Sequence, residues 1–182
     1  MAAPSPKRAD AERNRDKILA TARAAFSEPG AQISMAEVAR RAGVGMATLY
    51  RNFPGRQELL EALYTDEVDA ICAAAANVEG DTPGARLAAW LREFSAFFTS
   101  KHHIAELLKH TDRVNPIFKN GRARVLTAGR PLLAAAQQAR EVRDDLSLEQ
   151  ILDMITAIAS INGDPGYSGP IMQTALDGLR LS

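Results

Sequence analysis

Three groups of residues in this chain have side-chain types and spacings that could do chemistry. The first lies within SMAEVARRAGVGMATLYRNF, residues 34–53. On a short helix with Leu49 and Phe53 turned inward, Ala47 and Arg51 face outward, flanked by Thr48, Tyr50 and Asn52. Such a face suits the major groove of DNA. A small alanine permits close approach, Arg51 or Asn52 can pair with a guanine or adenine edge, and the hydroxyls of Thr48 and Tyr50 suit a phosphate or a thymine. Arg56 follows at the head of the next predicted helix, where its charge and the helix terminus both favour a phosphate.

The second group is His103, Glu106 and His110, at i, i+3 and i+7 in HHIAELLKHTDR. These three read as metal ligands, as polar groups orienting a ligand, or as ordinary partly exposed side chains. No cysteine or second carboxylate completes a metal set, so no metal and no cofactor is expected. The third is the single cysteine, Cys72, in the apolar run AICAAAA, which reads as a buried structural thiol. The chain has no G-x-S-x-G, P-loop, G-x-G-x-x-G or C-x-x-C pattern, and it is not expected to be an enzyme. A metal-dependent enzyme built on His103, Glu106 and His110 stays as an alternative.

The first group needs two helices to hold it. Ser34 followed by Glu37 is a capping-box pattern, which starts a helix with Met35, Val38, Ala39 and Ala42 on its buried face and Arg40 and Arg41 toward solvent or phosphate. Gly43 suits the left-handed residue that commonly ends a helix, with Val44 plugging the corner. Ser34, Met35, Gly45 and Met46, at the heads of the two helices, join Ala47, Thr48, Tyr50, Arg51, Asn52 and Arg56 as the residues expected to face DNA. A third helix over residues 10–27, with Ile18, Leu19, Ala22, Ala25 and Phe26 on one stripe, packs on the pair, and Pro29-Gly30 stops it. Residues 1–9 are expected to be a disordered basic tail. Lys7 and Arg8 leave open a second reading of it as an arm on the phosphates.

From residue 39 to 59 the chain reads AxxAGVGMATLYRNFPGRQEL. This resembles the TetR family of bacterial transcriptional regulators, whose pattern is A-x-x-A-G-V-x-x-x-T-L-Y-x-x-F-P-x-[KR]-x-x-L. The match is specific over residues 13–63 and architectural beyond. Gly45-Met46 stands where the family more often has Ser-Lys or Ser-Arg, which removes one hydroxyl and one charge. The resemblance implies an all-α chain, with a three-helix helix-turn-helix DNA-binding domain over residues 10–56 and a helical effector-binding and dimerisation domain over residues 57–182. It also implies a ligand-responsive regulator, a repressor that binds a near-palindromic operator in double-stranded DNA as a homodimer and is released by a small-molecule effector. The alternative within the same class is a regulator that needs no effector.

Charge distribution agrees with that division. Residues 1–56 hold ten Lys or Arg against five Asp or Glu, and residues 57–182 hold twelve against seventeen, so the basic half contains the helix-turn-helix. One cysteine in 182 residues excludes an intramolecular disulfide. No apolar run approaches the roughly 20 residues of a membrane span, and the N-terminus is polar, so a cytoplasmic protein with no membrane partner is expected.

In the C-terminal half, a lever-like helix is expected over residues 57–77. A second, over residues 85–100, carries Leu87, Trp90, Leu91, Phe94, Phe97 and Phe98 on one stripe. That stripe reads as core or as the wall of a cavity. In the second case Trp90, Phe94, Phe97, Phe98, His103, Leu107, His110 and Phe118 are the ligand-binding candidates. The next helix, over residues 115–140, should kink or break at Pro131 and so leave a cavity. Ser147 and Gln150 repeat the capping-box pattern before Leu148, Ile151, Leu152, Ile155, Ile158 and Ala159. After the loop GDPGYSGP, a last helix carries Ile171, Met172, Ala175, Leu176 and Leu179. These two helices either close the monomer core or pair with a second copy as a four-helix bundle, the reading taken for the dimer interface.

Overall fold

Local signals start and stop most of the helices. Ser34 Oγ accepts from Glu37 N at 3.2 Å and opens α2 (Met35–Ala42). Gly43, at φ 63°, closes it: Gly43 N donates to Arg40 O and Val44 N to Ala39 O, the paired bonds of a Schellman turn. Before it runs α1 (Pro6–Phe26) and after it α3 (Met46–Asn52), α4 (Arg56–Asn77), α5 (Pro83–Leu108), α6 (Val114–Gln138), α7 (Leu148–Ala159) and α8 (Pro165–Asp177). This computed structural model describes residues 6–26, 28, 33–108, 114–161 and 165–181, without the side chains of 6–9, 11, 100–108, 114, 115 and 165. Among the described residues the only extended pairing is one antiparallel bridge, Val142 with Arg180.

The chain forms two compact units. The first is Met1–Thr65 with His103–Asp112, and the second is Asp66–His102 with Arg113–Ser182. The boundary falls inside α4, further on than the expected break after Arg56. The reason is that Leu59, Leu60, Leu63 and Tyr64 of α4 are buried, as are Ile18, Ala22 and Phe26 of α1, Val38 and Ala39 of α2, and Leu49 of α3. Each fully buried leucine or isoleucine contributes about 1.5–3 kcal/mol, so the first unit needs those turns of α4 to complete its core.

Helix α5 runs from Pro83 to Leu108, past the expected 85–100, and three other helices differ from the sequence reading at prolines. Helix α1 begins at Pro6, so residues 6–9 of the expected tail are helical, and residues 1–5 lie outside the described residues. Helix α8 begins at Pro165, inside the expected loop, and runs through Pro170. A proline at the first helical position gives up no bond, because that N–H has no intrahelical partner. Helix α6 continues through Pro131 without a break. Its side chain is exposed while Val125, Leu133 and Ala136 are buried on the same helix. Packing of that face offsets the roughly 3 kcal/mol that an interior proline costs.

In the second unit Trp90 is fully buried at the meeting of four helices. Its Nε1 donates to Ile71 O of α4 at 3.1 Å. A Cβ built on Gly129 of α6 would lie 2.2 Å from Trp90 Cη2 and 3.1 Å from Leu148 Cδ2 of α7, so the missing side chain is what admits the indole. The arginines of α6 are paired: Arg122 with Asp153 at 2.8 Å, Arg130 with Glu149 at 3.0 Å, and Arg124 with Asp69 of α4. As exposed pairs they add about 0–1 kcal/mol each and fix register more than stability.

Candidate nucleic-acid interface

Helix α3 has no side-chain cap, because its N-cap is Gly45, and Thr48 N and Leu49 N both turn back to Gly45 O at 2.9 and 3.0 Å. Leu49 and Phe53 are buried, at 0% and 1% exposure, and they fix the rotation of the helix. The expected face follows. Gly45, Met46, Ala47, Tyr50 and Arg51 are exposed, Met46 and Tyr50 at 40% and 47%, high for apolar side chains of their size. Thr48 and Asn52 are half-buried on the flanks. Ser34 is exposed and Met35 half-buried beside it on α2.

Hydrogen bonds sort the polar members of this set. Arg51 donates to Thr48 Oγ1 at 3.3 Å, a long bond on an exposed side chain that a base could replace. Asn52 Nδ2 donates to Thr48 O at 2.8 Å, which holds one of its two amide donors within the helix. Arg56 departs furthest from expectation. It is half-buried, it donates to Ile33 O, and its guanidinium lies 4.8 Å from the centroid of the Phe26 ring. A guanidinium so held ties the head of α4 to α1 and to the residue before the α2 cap, and is not turned out toward a phosphate. Arg15 makes a similar contact, 4.8 Å over the buried ring of Phe53.

Only the Ser34 half of the first capping box forms, and the Glu37 carboxylate turns to arginines. Its carboxylate takes Arg40 at 2.6 and 2.8 Å and Arg41 at 2.6 Å, and Arg41 reaches on to Glu28. The hydrogen bonds from Arg40 and then Arg41 hold the Glu37 carboxyl down at about 2, and Arg41 is raised in turn by Glu28 and Glu37. Two cations expected to face solvent or phosphate are thus paired on the protein. The i, i+3 spacing puts Arg40 within reach of Glu37, whereas Glu28 lies thirteen residues from Arg41, with no local signal. Lys17 of α1 and Arg51 are exposed and carry no ion pair among the described residues.

The ligand-binding candidates divide. Trp90 and Phe94 are buried, with ring centroids 6.1 Å apart, and Phe97 lies 5.9 Å beyond Phe94. Trp90 lines neither the cleft at the head of α5 nor the one beside Cys72 and Arg124. Phe97, Phe98 and Phe118 are half-buried. The side chains of His103, Glu106 and Leu107, and all of His110, lie outside the described residues. Cys72 is half-buried, and burial pushes its thiol up, as suits a structural cysteine.

The dimer candidates are corrected in their facing. Leu148, Ile151, Leu152, Ile155 and Ile158 of α7, with Leu176 and Leu179 at the end of the chain, are all at most 9% exposed within one chain. They close the core of the single chain and leave little surface for a partner. Ala159, Ile171, Met172 and Ala175 are half-buried. The outward side of α7 is a different stripe at i, i+4 and i+7, Gln150, Met154 and Ala157, continued by Ile161. On α8 it is Tyr167, Ile171 and Thr174. The capping box at Ser147 forms in full, with both reciprocal bonds present.

Among the described residues no helix is long and apolar enough to cross a membrane. Residues 18–63 match the family described as bacterial regulatory proteins, tetR family, and residues 82–181 match the C-terminal domain of SbtR-like transcriptional regulators. A TetR transcriptional regulator of Streptomyces coelicolor is similar at 34% identity, covering 92% of this chain and 99% of that one, with a TM-score of 0.77. A TetR regulatory protein of Mycobacterium vanbaalenii is similar at 32% identity, covering 97% and 100%, also with a TM-score of 0.77. An HTH-type transcriptional regulator of Staphylococcus aureus is 38% identical over 63 residues, so that the match spans only 34% of that curated relative and 34% of this chain. With a helix-turn-helix of this geometry, and likeness that runs through both units, the chain belongs to the TetR family of bacterial transcriptional regulators.

Proposed function

We propose that this chain is a ligand-responsive repressor that acts in the cytoplasm, binds a near-palindromic operator as a homodimer, and leaves it when a small molecule occupies the second unit. The observation that carries the reading is the outward face of α3: Ala47, Tyr50 and Arg51 exposed over the buried Leu49 and Phe53, at the end of a glycine-closed turn. Ala47 lets the helix backbone approach base edges, Arg51 reads one of them, and Thr48 and Tyr50 contact phosphate or a thymine methyl. Asn52 and Arg56 support this face from behind. One such helix makes few contacts, so operator affinity requires two copies on half-sites about one helical turn apart. The dimer forms through the outward stripes of α7 and α8, not through their buried ones. Coupling rests on α4, which supplies residues 56–65 to the first unit and 66–77 to the second.

Selection of bound duplexes from random DNA tests the reading. The expected product is an inverted repeat, and enrichment of a single unrepeated site, or of none, would reject it. Repeating the selection with candidate ligands tests the response. The buried Trp90 favours one competing reading, a regulator with a filled second unit and no effector. It predicts that no ligand changes operator binding.

A further inference from the structure

The second unit has a partly open cleft of about 360 Å³ at the N-terminal end of the apolar stripe of α5, between the head of that helix, the α6–α7 turn and the last residues of the chain. Its floor is apolar: Leu87 and Leu91 of α5, Val142, Leu176 and Leu179, all at most 4% exposed. Its charged lining consists of Arg140, Glu141 and Arg180. Glu141 is already committed, accepting from Gly84 N at 2.7 Å, and Arg180 lies 3.7 Å from Asp177 across exposed side chains. Arg140 is exposed and has no ion pair among the described residues.

The backbone at Arg140 is a second, independent observation. It has a φ of 55°, alone among the described non-glycine residues in the left-handed region, and it occupies the position that glycine normally takes when a Schellman turn closes a helix. The bonds of that turn are present, Arg140 N to Gln137 O at 3.0 Å and Glu141 N to Ala136 O at 3.1 Å. An arginine strained into a glycine position and lining a cleft points to a use for its guanidinium.

We propose that this cleft binds an aliphatic monocarboxylate of roughly eight carbons, the tail over Leu87 and Leu91 and the carboxylate on Arg140, with Arg180 assisting. Cleft volume sets the length: at about 30 Å³ per water it holds about a dozen water-sized groups. The free guanidinium over an apolar floor sets the chemistry, since it recognises a carboxylate through charge-assisted bonds while the floor recognises the chain. Leu87 and Leu91 bracket Trp90 on α5, and Trp90 is hydrogen-bonded to Ile71 of α4. An occupant therefore bears on the helix that the first unit shares. That regulatory consequence rests on the proposed function, but the binding itself does not.

Calorimetric titration of the full chain with sodium octanoate, octan-1-ol and octylammonium chloride tests the site. Octanoate should bind once per chain, and the alcohol and the ammonium at least about tenfold more weakly. Arg140→Gly removes the cation while supplying the residue that the backbone favours, so it should melt at or above the parent temperature yet bind octanoate at least about tenfold more weakly. Arg140→Lys should keep most of the affinity. No heat with octanoate, equal binding of octanol, or an Arg140→Gly variant of unchanged affinity would each overturn the proposal. Binding that follows this pattern without releasing DNA would leave the site standing and count instead against the ligand-responsive reading.

Discussion

Arg51 and Arg56 carry the same charge five residues apart, yet their surroundings give them different work. Arg51 is exposed and held by one 3.3 Å bond, whereas Arg56 is packed over Phe26 and bonded to the Ile33 carbonyl. Arg51→Ala should therefore weaken binding to the operator by about 1–3 kcal/mol, with relaxed preference at one base position and little change in melting temperature. Arg56→Ala should instead destabilise the fold by about 1–3 kcal/mol through the lost carbonyl bond and ring contact, and leave the salt dependence of DNA binding unchanged. A flatter salt dependence in Arg56→Ala would return that residue to the phosphates. Glu37 gives a third prediction. Its carboxyl is held at about 2, below the ordinary carboxylate value, so its stabilising share is complete above about pH 4.5 and fades as the pH falls toward 2. Glu37→Gln should lose that acid dependence, and it frees Arg40 for phosphate while Arg41 keeps Glu28. Nonspecific DNA affinity should rise, and the slope of log K against log salt should steepen by roughly 0.9 for each phosphate gained.

At the scale of elements, Trp90 and Gly129 show how one missing side chain organises a unit. Gly129→Ala should raise helix propensity in α6 by about 1 kcal/mol, but its methyl would sit 2.2 Å from the indole. Overpacking of this kind costs about 1–3 kcal/mol, so net destabilisation is expected, with a shift in the emission of Trp90, the only tryptophan. Unchanged melting and emission would mean that the indole has room. This contact was not legible in the sequence, where Gly129 reads only as a weak point of a helix, because the reason for it lies on α5. What was legible was local. The Ser34 cap, the Gly43 turn, the inward Leu49 and Phe53 and the Ser147 capping box are set by residues within a few positions of one another. Proline was overread at Pro6, Pro131 and Pro165, since a local rule cannot weigh the packing of the helix around it. The facing of α7 was inverted for a related reason. Its strongest apolar stripe was assigned to a partner, but the monomer core takes the strongest stripe first and leaves the milder one outside.

At the scale of the molecule, that inversion changes how dimerisation is tested. Removing α7 and α8 would strip Ile151, Leu152 and Ile155 from the core, so a truncated chain reports on folding, not on assembly. Point substitutions separate the two. Ile155→Ala, at a position with 0% exposure, should cost about 2–5 kcal/mol of stability whether or not the chain pairs. Ala157→Arg lies on the exposed stripe, where a surface change costs the monomer no more than about 0.5 kcal/mol. Two copies related by a two-fold axis would bring the two introduced arginines to one interface, where like charges repel and the nearest carboxylate, Asp153, is already paired with Arg122. Sedimentation of Ala157→Arg should show a folded monomer with unchanged melting of its helices. Its operator affinity should fall steeply, because a single α3 can engage only one half-site. An Ala157→Arg protein that still sediments as a dimer and holds the operator would place the subunit interface elsewhere. It would also remove the reason for expecting a palindrome, since the symmetry of the site follows from the symmetry of the protein that reads it.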